Sequence, residues 1–180
     1  MVLVITISGL HGVGKTTIGK KLCDIYGLGY SSAGTLFREM AKKHNMSLSE
    51  FNEYAKKHPE IDREIDNLTL KLAKEGNIVL DGILTAWLTK DMNTFKIFLT
   101  TPLEVRIKRI AERDNISFDE ALQITLHRER IERERFKKLY NIEEPDLYLY
   151  DIVLNTHSFN LDSMIKILTT SIDEFLKNKT

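Results

Sequence analysis

The sequence predicts an α/β protein, a five-stranded parallel sheet with helices on both faces. Short apolar runs, the first at residues 2–7, alternate with longer segments whose apolar residues recur every three or four positions. Three prolines and nine glycines in 180 residues favour long helices with short joints. The first apolar run also passes directly into Gly9-Leu10-His11-Gly12-Val13-Gly14-Lys15-Thr16, a G-x-x-x-x-G-K-[ST] loop. That loop requires a buried strand before it and a helix after it.

The elements follow in order. Ile18, Leu22, Ile25 and Tyr26 recur at helical spacing after the loop, and Gly27 and Gly29 end that helix before a short strand. Residues 35–43 read as a helix with Leu36, Phe37, Met40 and Ala41 on one side and Arg38 among them. Ser47-Leu48-Ser49-Glu50 is a capping-box spacing that opens another helix. Pro59 starts a third, with Ile61, Ile65, Leu68, Leu72 and Ala73 in period. Residues 77–81 form a buried strand ending in Asp81 and Gly82, and residues 95–99 the next. A helix over 103–113 begins after Pro102. Ser117-Phe118-Asp119-Glu120 opens a charged helix that runs to Tyr140 or breaks on the way. Residues 150–154 are the fifth strand, and 161–176 the closing helix.

Composition bounds the function. A chain of 180 residues is the size of one domain, residues 1–180. The 26 basic and 26 acidic residues cancel, so no global field draws the protein to nucleic acid or an anionic membrane. The lone Cys23 excludes an intramolecular disulfide framework and a thiolate zinc site, and it reads as a small core residue. No run approaches the roughly 18 apolar residues of a membrane span, and no basic-then-apolar leader opens the chain. The expectation is a cytoplasmic monomer with neither a membrane nor a stable nucleic-acid partner.

The chemistry centres on phosphate. The glycines of the loop allow close backbone approach, Lys15 reaches β- and γ-phosphates, and the Thr16 hydroxyl is a Mg²⁺ ligand. Asp81, at the carboxyl end of a central strand, can hold the same ion opposite Thr16; a plain turn residue before Gly82 is the alternative. Arg38, one turn inside its helix, can bind a second phosphate with both guanidinium nitrogens, or else lie on a solvated face. Arg128, Arg130, Arg133 and Arg135 crowd eight residues. Such runs are commonly solvated faces with i,i+4 pairs, but beside a phosphate loop they can also supply cations to a moving phosphoryl group. Arg106, Arg109 and Arg113 divide between the same clamp, stacking on a base, and a bland surface.

Taken together, Gly9 to Thr16, Ala33-Gly34-x-x-Phe37-Arg38, Asp81-Gly82 after a third strand and Arg128-x-x-x-Glu132-x-x-Arg135 resemble the nucleoside monophosphate kinases, most of all the archaeal type of cytidylate kinase. Further family-like words at Ile61-Asp62-x-x-Ile65-Asp66, Ala86-Trp87, Pro102-Leu103-Glu104-Val105-Arg106 and residues 150–156 extend the resemblance over most of the chain. It implies a P-loop kinase fold with a helical acceptor-binding insertion at about residues 33–75 and a helical lid at about 117–140. It implies ATP as donor, a nucleoside monophosphate as acceptor and Mg²⁺ as cofactor. Lys15, Arg128 and Arg135 are then the catalytic candidates. Gly9 through Thr17 (Gly9, Leu10, His11, Gly12, Val13, Gly14, Lys15, Thr16, Thr17) together with Arg109 are the ATP-binding ones. Gly34, Arg38, Asp81 and Glu132 fall to the acceptor, and Thr16 and Asp81 to the metal.

Two words depart from the family, both on the acceptor side. Asp81-Gly82-Ile83 stands where an acidic-Gly-Arg word is usual, and Asn67-Leu68-Thr69 where Arg-Arg-Gln often follows. Each missing guanidinium removes roughly 1.5–3 kcal/mol of acceptor binding unless another group, such as Arg63, replaces it. The expected activity is transfer of the γ-phosphoryl of ATP to CMP and dCMP. The alternatives are an adenylate kinase-related enzyme acting on another monophosphate or small acceptor, and an ATP-dependent assembly factor.

Overall fold

The computed structural model describes residues 2–178. Its centre is strand β1 (Val4–Ser8), buried along its whole length, which runs through the phosphate loop into helix α1 (Lys15–Tyr26). Strand β2 (Gly29–Ser32) and helices α2 (Ala33–Lys43), α3 (Leu48–Lys57) and α4 (Pro59–Glu75) come next. Strand β3 (Ile78–Asp81), a four-residue helix α5 (Thr85–Leu88), strand β4 (Phe95–Thr100) and helix α6 (Leu103–Asp114) follow. Helix α7 (Phe118–Tyr140), strand β5 (Ile152–Asn155) and helix α8 (Leu161–Lys177) complete the chain.

All five strands are parallel, in the order β2-β3-β1-β4-β5. β1 is flanked by β3 on one side and β4 on the other, and open α/β sheets place their ligands at the carboxyl ends of strands where the order reverses. The loop after β1 and Asp81, paired with Ile7 in register, therefore emerge side by side.

Period-two alternation decides which helices cover which face. Ile5 and Ile7 point to one side and pack with Ile18 and Leu22 of α1 and Leu168 and Ile172 of α8. Val4 and Leu80 face the other side, against Ala73 of α4. Each such Leu or Ile contributes about 1.5–3 kcal/mol by leaving water. Residues of α2, α3 and α4 build a small core of their own around Phe37, Phe51, Ile61 and Ile65, with Phe37 and Phe51 in edge-to-face contact at 4.8 Å.

The Ser47 capping box forms with both of its hydrogen bonds. Ser117 likewise accepts from the Glu120 N–H, and α7 then continues unbroken for 23 residues. Three features differ from expectation. Helix α5 had no periodic signal, because four residues make barely one turn. Cys23 is only partly buried, its Sγ donating to the Gly29 carbonyl at 3.2 Å. The inner face of α7 is not solvated: Ala121, Thr125, Ile131, Glu132 and Arg135 are all buried. Among the described residues no helix is long and apolar enough to cross a membrane.

Candidate active site

The loop after β1 owes its shape to glycine at positions no other residue fits. Gly9 has φ +142°, and a Cβ there would stand 2.3 Å from the Leu99 carbonyl oxygen. Gly12 has φ +81°, and its Cβ would fall 2.7 Å from the Arg106 carbonyl. Helix α1 begins at Lys15 with Gly14 as N-cap and no capping side chain, so its first N–H groups and the positive end of its dipole are left for an anion. Lys15 Nζ folds back on the loop, donating to the carbonyls of Gly9 at 2.7 Å and Leu10 at 3.0 Å. Burial pushes its pKa below the ordinary lysine value, while Asp81 and Glu132 oppose that change.

Asp81 is buried at the end of β3, where Oδ2 accepts from the Thr16 hydroxyl at 2.9 Å and the Tyr30 hydroxyl at 2.6 Å. The Thr16–Asp81 pair supplies two hard oxygens at the mouth of the loop. No cluster of three or more carboxylate, His or Cys ligands exists among the described residues. That donor set suits Mg²⁺, which keeps most of its waters and takes its other ligands from phosphate.

A cavity of about 820 Å³ opens over this loop. Gly12, Gly14, Lys15, Thr16 and Thr17 line its base; Gly34, Phe37 and Arg38 of α2 and Asp62, Ile65, Asp66 and Thr69 of α4 form one wall. Arg128, Glu132, Arg135 and Phe136 close it from α7, and Arg109, Arg113 and Asp114 stand at the α6 end. The catalytic, metal and acceptor candidates named from sequence thus meet in one space. Arg38 is exposed and donates only to the Thr35 hydroxyl, at 3.0 Å.

The structure adds detail at several residues named from sequence. Val13 turns its side chain into the core, so only its backbone belongs to the loop's anion cradle. Gly9 and Leu10 line a second cavity of about 540 Å³, which shares Ile83, Leu84, Glu132 and Phe136 with the first. Arg63, offered as a substitute for the lost guanidiniums, is exposed and lines neither cavity. Arg106, for which the sequence leaves a clamp, a base stack and a bland surface all open, is buried: Nη1 donates to the His11 carbonyl at 3.0 Å and pairs with Glu129 of α7. Arg109 donates to both the hydroxyl and the carbonyl of Thr156, at 2.9 and 3.0 Å.

On α7 the charged residues are organised rather than solvated. Glu132 accepts from His11 Nε2 at 2.7 Å and from Arg128 Nε at 2.9 Å, tying the helix to the loop. Burial opposes the ionised form of Glu132. His11 and Arg128 beside it more than offset that and hold its carboxyl well below the usual carboxylate range. An ionised carboxylate only accepts, so His11 carries its proton on Nε2, and burial keeps its pKa below the usual histidine value. Arg135 donates to Asn52 Oδ1 at 2.9 Å, pairs twice with Asp62 at 3.1 and 3.3 Å, and lies 5.0 Å over the Phe37 ring. It is a buried tie between α7 and the α2–α4 unit as well as a wall of the cavity.

Sequence reasoning gave no site role to two residues of this space, Asp62 and Asp66, or to Tyr140 beside them. Asp66 accepts a short hydrogen bond from the Tyr140 hydroxyl, and Tyr140 rests against Trp87 with ring centroids 5.1 Å apart. Burial pushes the Asp66 carboxyl up to about 6. The i,i+4 spacing of Asp62 and Asp66, in register with Ile61 and Ile65, was the available signal.

Comparison with known proteins agrees with this geometry. Residues 4–158 match the model of the cytidylate kinase-like family. The chain is 45% identical to the cytidylate kinase of Pyrococcus horikoshii over 95% of this chain and 88% of that one. It is 44% identical to that of Methanocaldococcus jannaschii, over 97% and 100%. Among solved structures, a gluconokinase from Sinorhizobium meliloti 1021 superposes with a TM-score of 0.64 at 13% identity, covering 98% of this chain and 94% of that one. A shikimate kinase from Bacteroides thetaiotaomicron gives 0.61 at 15%, covering 98% and 99%. These structural likenesses speak to the fold alone.

Proposed function

Because the chain belongs to the cytidylate kinase-like family, we propose that it transfers the γ-phosphoryl group of ATP to CMP, giving ADP and CDP, and that dCMP serves as a second acceptor. The observation that carries this is the single cavity in which the loop with Lys15 and the Thr16–Asp81 pair faces Arg38 and the inner side of α4, with Arg128 above both. Donor phosphates at one end and an acceptor phosphate at the other then meet in line between Lys15 and Arg128.

In phosphoryl transfer the protein supplies little covalent chemistry; it positions groups and stabilises charge spread over the equatorial oxygens. Lys15 leaves the Gly9 and Leu10 carbonyls for the β- and γ-phosphates. Mg²⁺, held through Thr16 and Asp81, would neutralise developing charge when bound. Arg38 holds the acceptor phosphate, and Gly34 admits it close to the backbone. Arg128, kept extended by Glu132, stabilises the moving group, while Arg135 keeps α7 seated on α3 and α4. Residues 33–75 form the acceptor-binding insertion and residues 117–140 the lid of one domain. Asp62, Asp66 and Thr69 line the wall proposed for the acceptor base, where ionised carboxylates favour an exocyclic amine such as that of cytosine.

A coupled assay with ATP, Mg²⁺ and a panel of CMP, dCMP, UMP, AMP and GMP tests this. Turnover confined mainly to CMP and dCMP is the expected result. Preference for another monophosphate would keep the enzyme and change the acceptor. No turnover with any of them, but hydrolysis stimulated by a protein or RNA partner, would replace the kinase with an assembly factor.

A further inference from the structure

Five consecutive carbonyls of the phosphate loop are hydrogen-bonded, and they fall into two kinds. Those of Gly9 and Leu10 accept from Lys15, which the proposed chemistry requires to leave. Those of His11, Gly12 and Val13 accept from Arg106 at 3.0 Å, Arg109 at 3.4 Å and the Thr156 hydroxyl at 2.9 Å, none of which lies in the loop. Every peptide bond among the described residues is trans, so fixing a carbonyl on one side fixes the next residue's N–H on the other. Holding the carbonyls of residues 11–13 against α6 and the end of β5 turns the N–H groups of Gly12, Val13 and Gly14 toward the side occupied by the large cavity.

The three donors brace one another. Thr156 is buried, its own N–H is bonded to the Thr100 carbonyl at the end of β4, and its hydroxyl also accepts from Arg109. Arg106 also donates through Nη1 and Nη2 to Glu129 of α7. We infer that Thr156 and Arg106 are positioning residues that pre-set the anion-binding N–H groups of the loop, with Arg106 linking that setting to the seating of α7. Neither touches the transferred group. Their effect is to remove the reorganisation a free loop would undergo when polyphosphate arrives.

The inference rests on ATP as the ligand of this loop, but not on the identity of the acceptor. It is therefore read by calorimetric binding of ADP with Mg²⁺, alongside kinetics with CMP. Thr156→Val removes the hydroxyl at constant shape. It should weaken ADP binding and kcat/KM for ATP by about five- to tenfold while KM for CMP stays within about twofold. Thr156→Ser, which returns the donor, should recover most of the loss. Glu129→Gln, which leaves Arg106 in place but loosens its tie to α7, should lower kcat while changing ADP affinity by less than about threefold. ADP binding unchanged in Thr156→Val would overturn the inference. So would a serine variant as weak as the valine one, or equal losses for ATP and CMP in step with a fall in Tm. Failure of the wild-type protein to use CMP, with these ADP results intact, would count against the acceptor assignment alone.

Discussion

The two ends of the cavity are built on opposite principles. At the donor end a fixed sequence motif is set by its backbone: glycine conformations, a helix N-terminus and carbonyls braced from outside the motif by Arg106, Arg109 and Thr156. At the acceptor end the wall is made of side chains on α2 and α4: Asp62 and Asp66 are held by Arg135 and Tyr140 of α7, and Arg38 and Thr69 bond within their own helices. A backbone-built site keeps its ligand as long as its glycines and the side chains that brace it stay. A side-chain-built site changes its ligand with each substitution, and this is where Ile83 and Asn67 stand in place of family arginines.

That contrast can be broken most directly at Lys15. Lys15→Ala should lower kcat by at least about a thousandfold, with Tm almost unchanged, because the loop's shape does not depend on a side chain that must move. A stable variant with near-normal kcat would refute the donor site. Next come the two arginines of α7, which the structure separates. Arg128→Ala should cost at least about a hundredfold in kcat with a small change in Tm. Arg135→Ala leaves Asp62 buried without its partner and should cost about 3–5 kcal/mol of stability, lowering Tm by roughly 10 °C. Thermal melts beside steady-state kinetics distinguish them; equal effects from both would erase the distinction. Arg133, at the rim of the smaller cavity, serves as the control, and Arg133→Ala should match wild type.

Asp66 sharpens the comparison from the other end. Its folded-state pKa lies above the unfolded one, at about 6. The stability it contributes is thus present below the unfolded carboxylate range near pH 3.9 and is lost as pH rises through 6. At pH 7 the ionised group is a liability. Asp66→Asn should then raise unfolding stability by about 1–2 kcal/mol at pH 7, after discounting for its partial exposure, and by little at pH 4. The same variant should raise KM for CMP several-fold. Urea unfolding at the two pH values checks the first part; an unchanged KM would remove Asp66 from the acceptor site.

Smallest segments and charged faces set the limit of what the sequence conveyed. The strands and the helices they alternate with were legible because one face of each is apolar, as with Ile61, Ile65 and Ala73 on α4. The inward stripe of α7 was hidden because charges occupy it: positions 121, 125, 128, 132 and 135 step by four and three along one face, but the last three are Arg, Glu and Arg. A hydrophobic period cannot register a face whose burial is offset by ion pairs. The burial of Arg106 was hidden for a similar reason, although it adjoins Ile107 and lies one turn before Ile110, the buried face of α6. The loop motif was plain, yet its spacing said nothing of the distant Thr156 that holds Val13.

Helix α7 has no glycine or proline in its 23 residues to kink it, and it spans about 34 Å. Its middle is fastened to the phosphate loop through Glu132 and its final turn to the acceptor wall through Tyr140. An unbroken helix cannot settle at one fastening and ignore the other. On the proposed lid role of residues 117–140, whichever nucleotide enters first and draws α7 into place leaves that work done for the second. Linkage makes the exchange symmetrical: the factor by which bound ATP tightens the acceptor must equal the factor by which the acceptor tightens ATP.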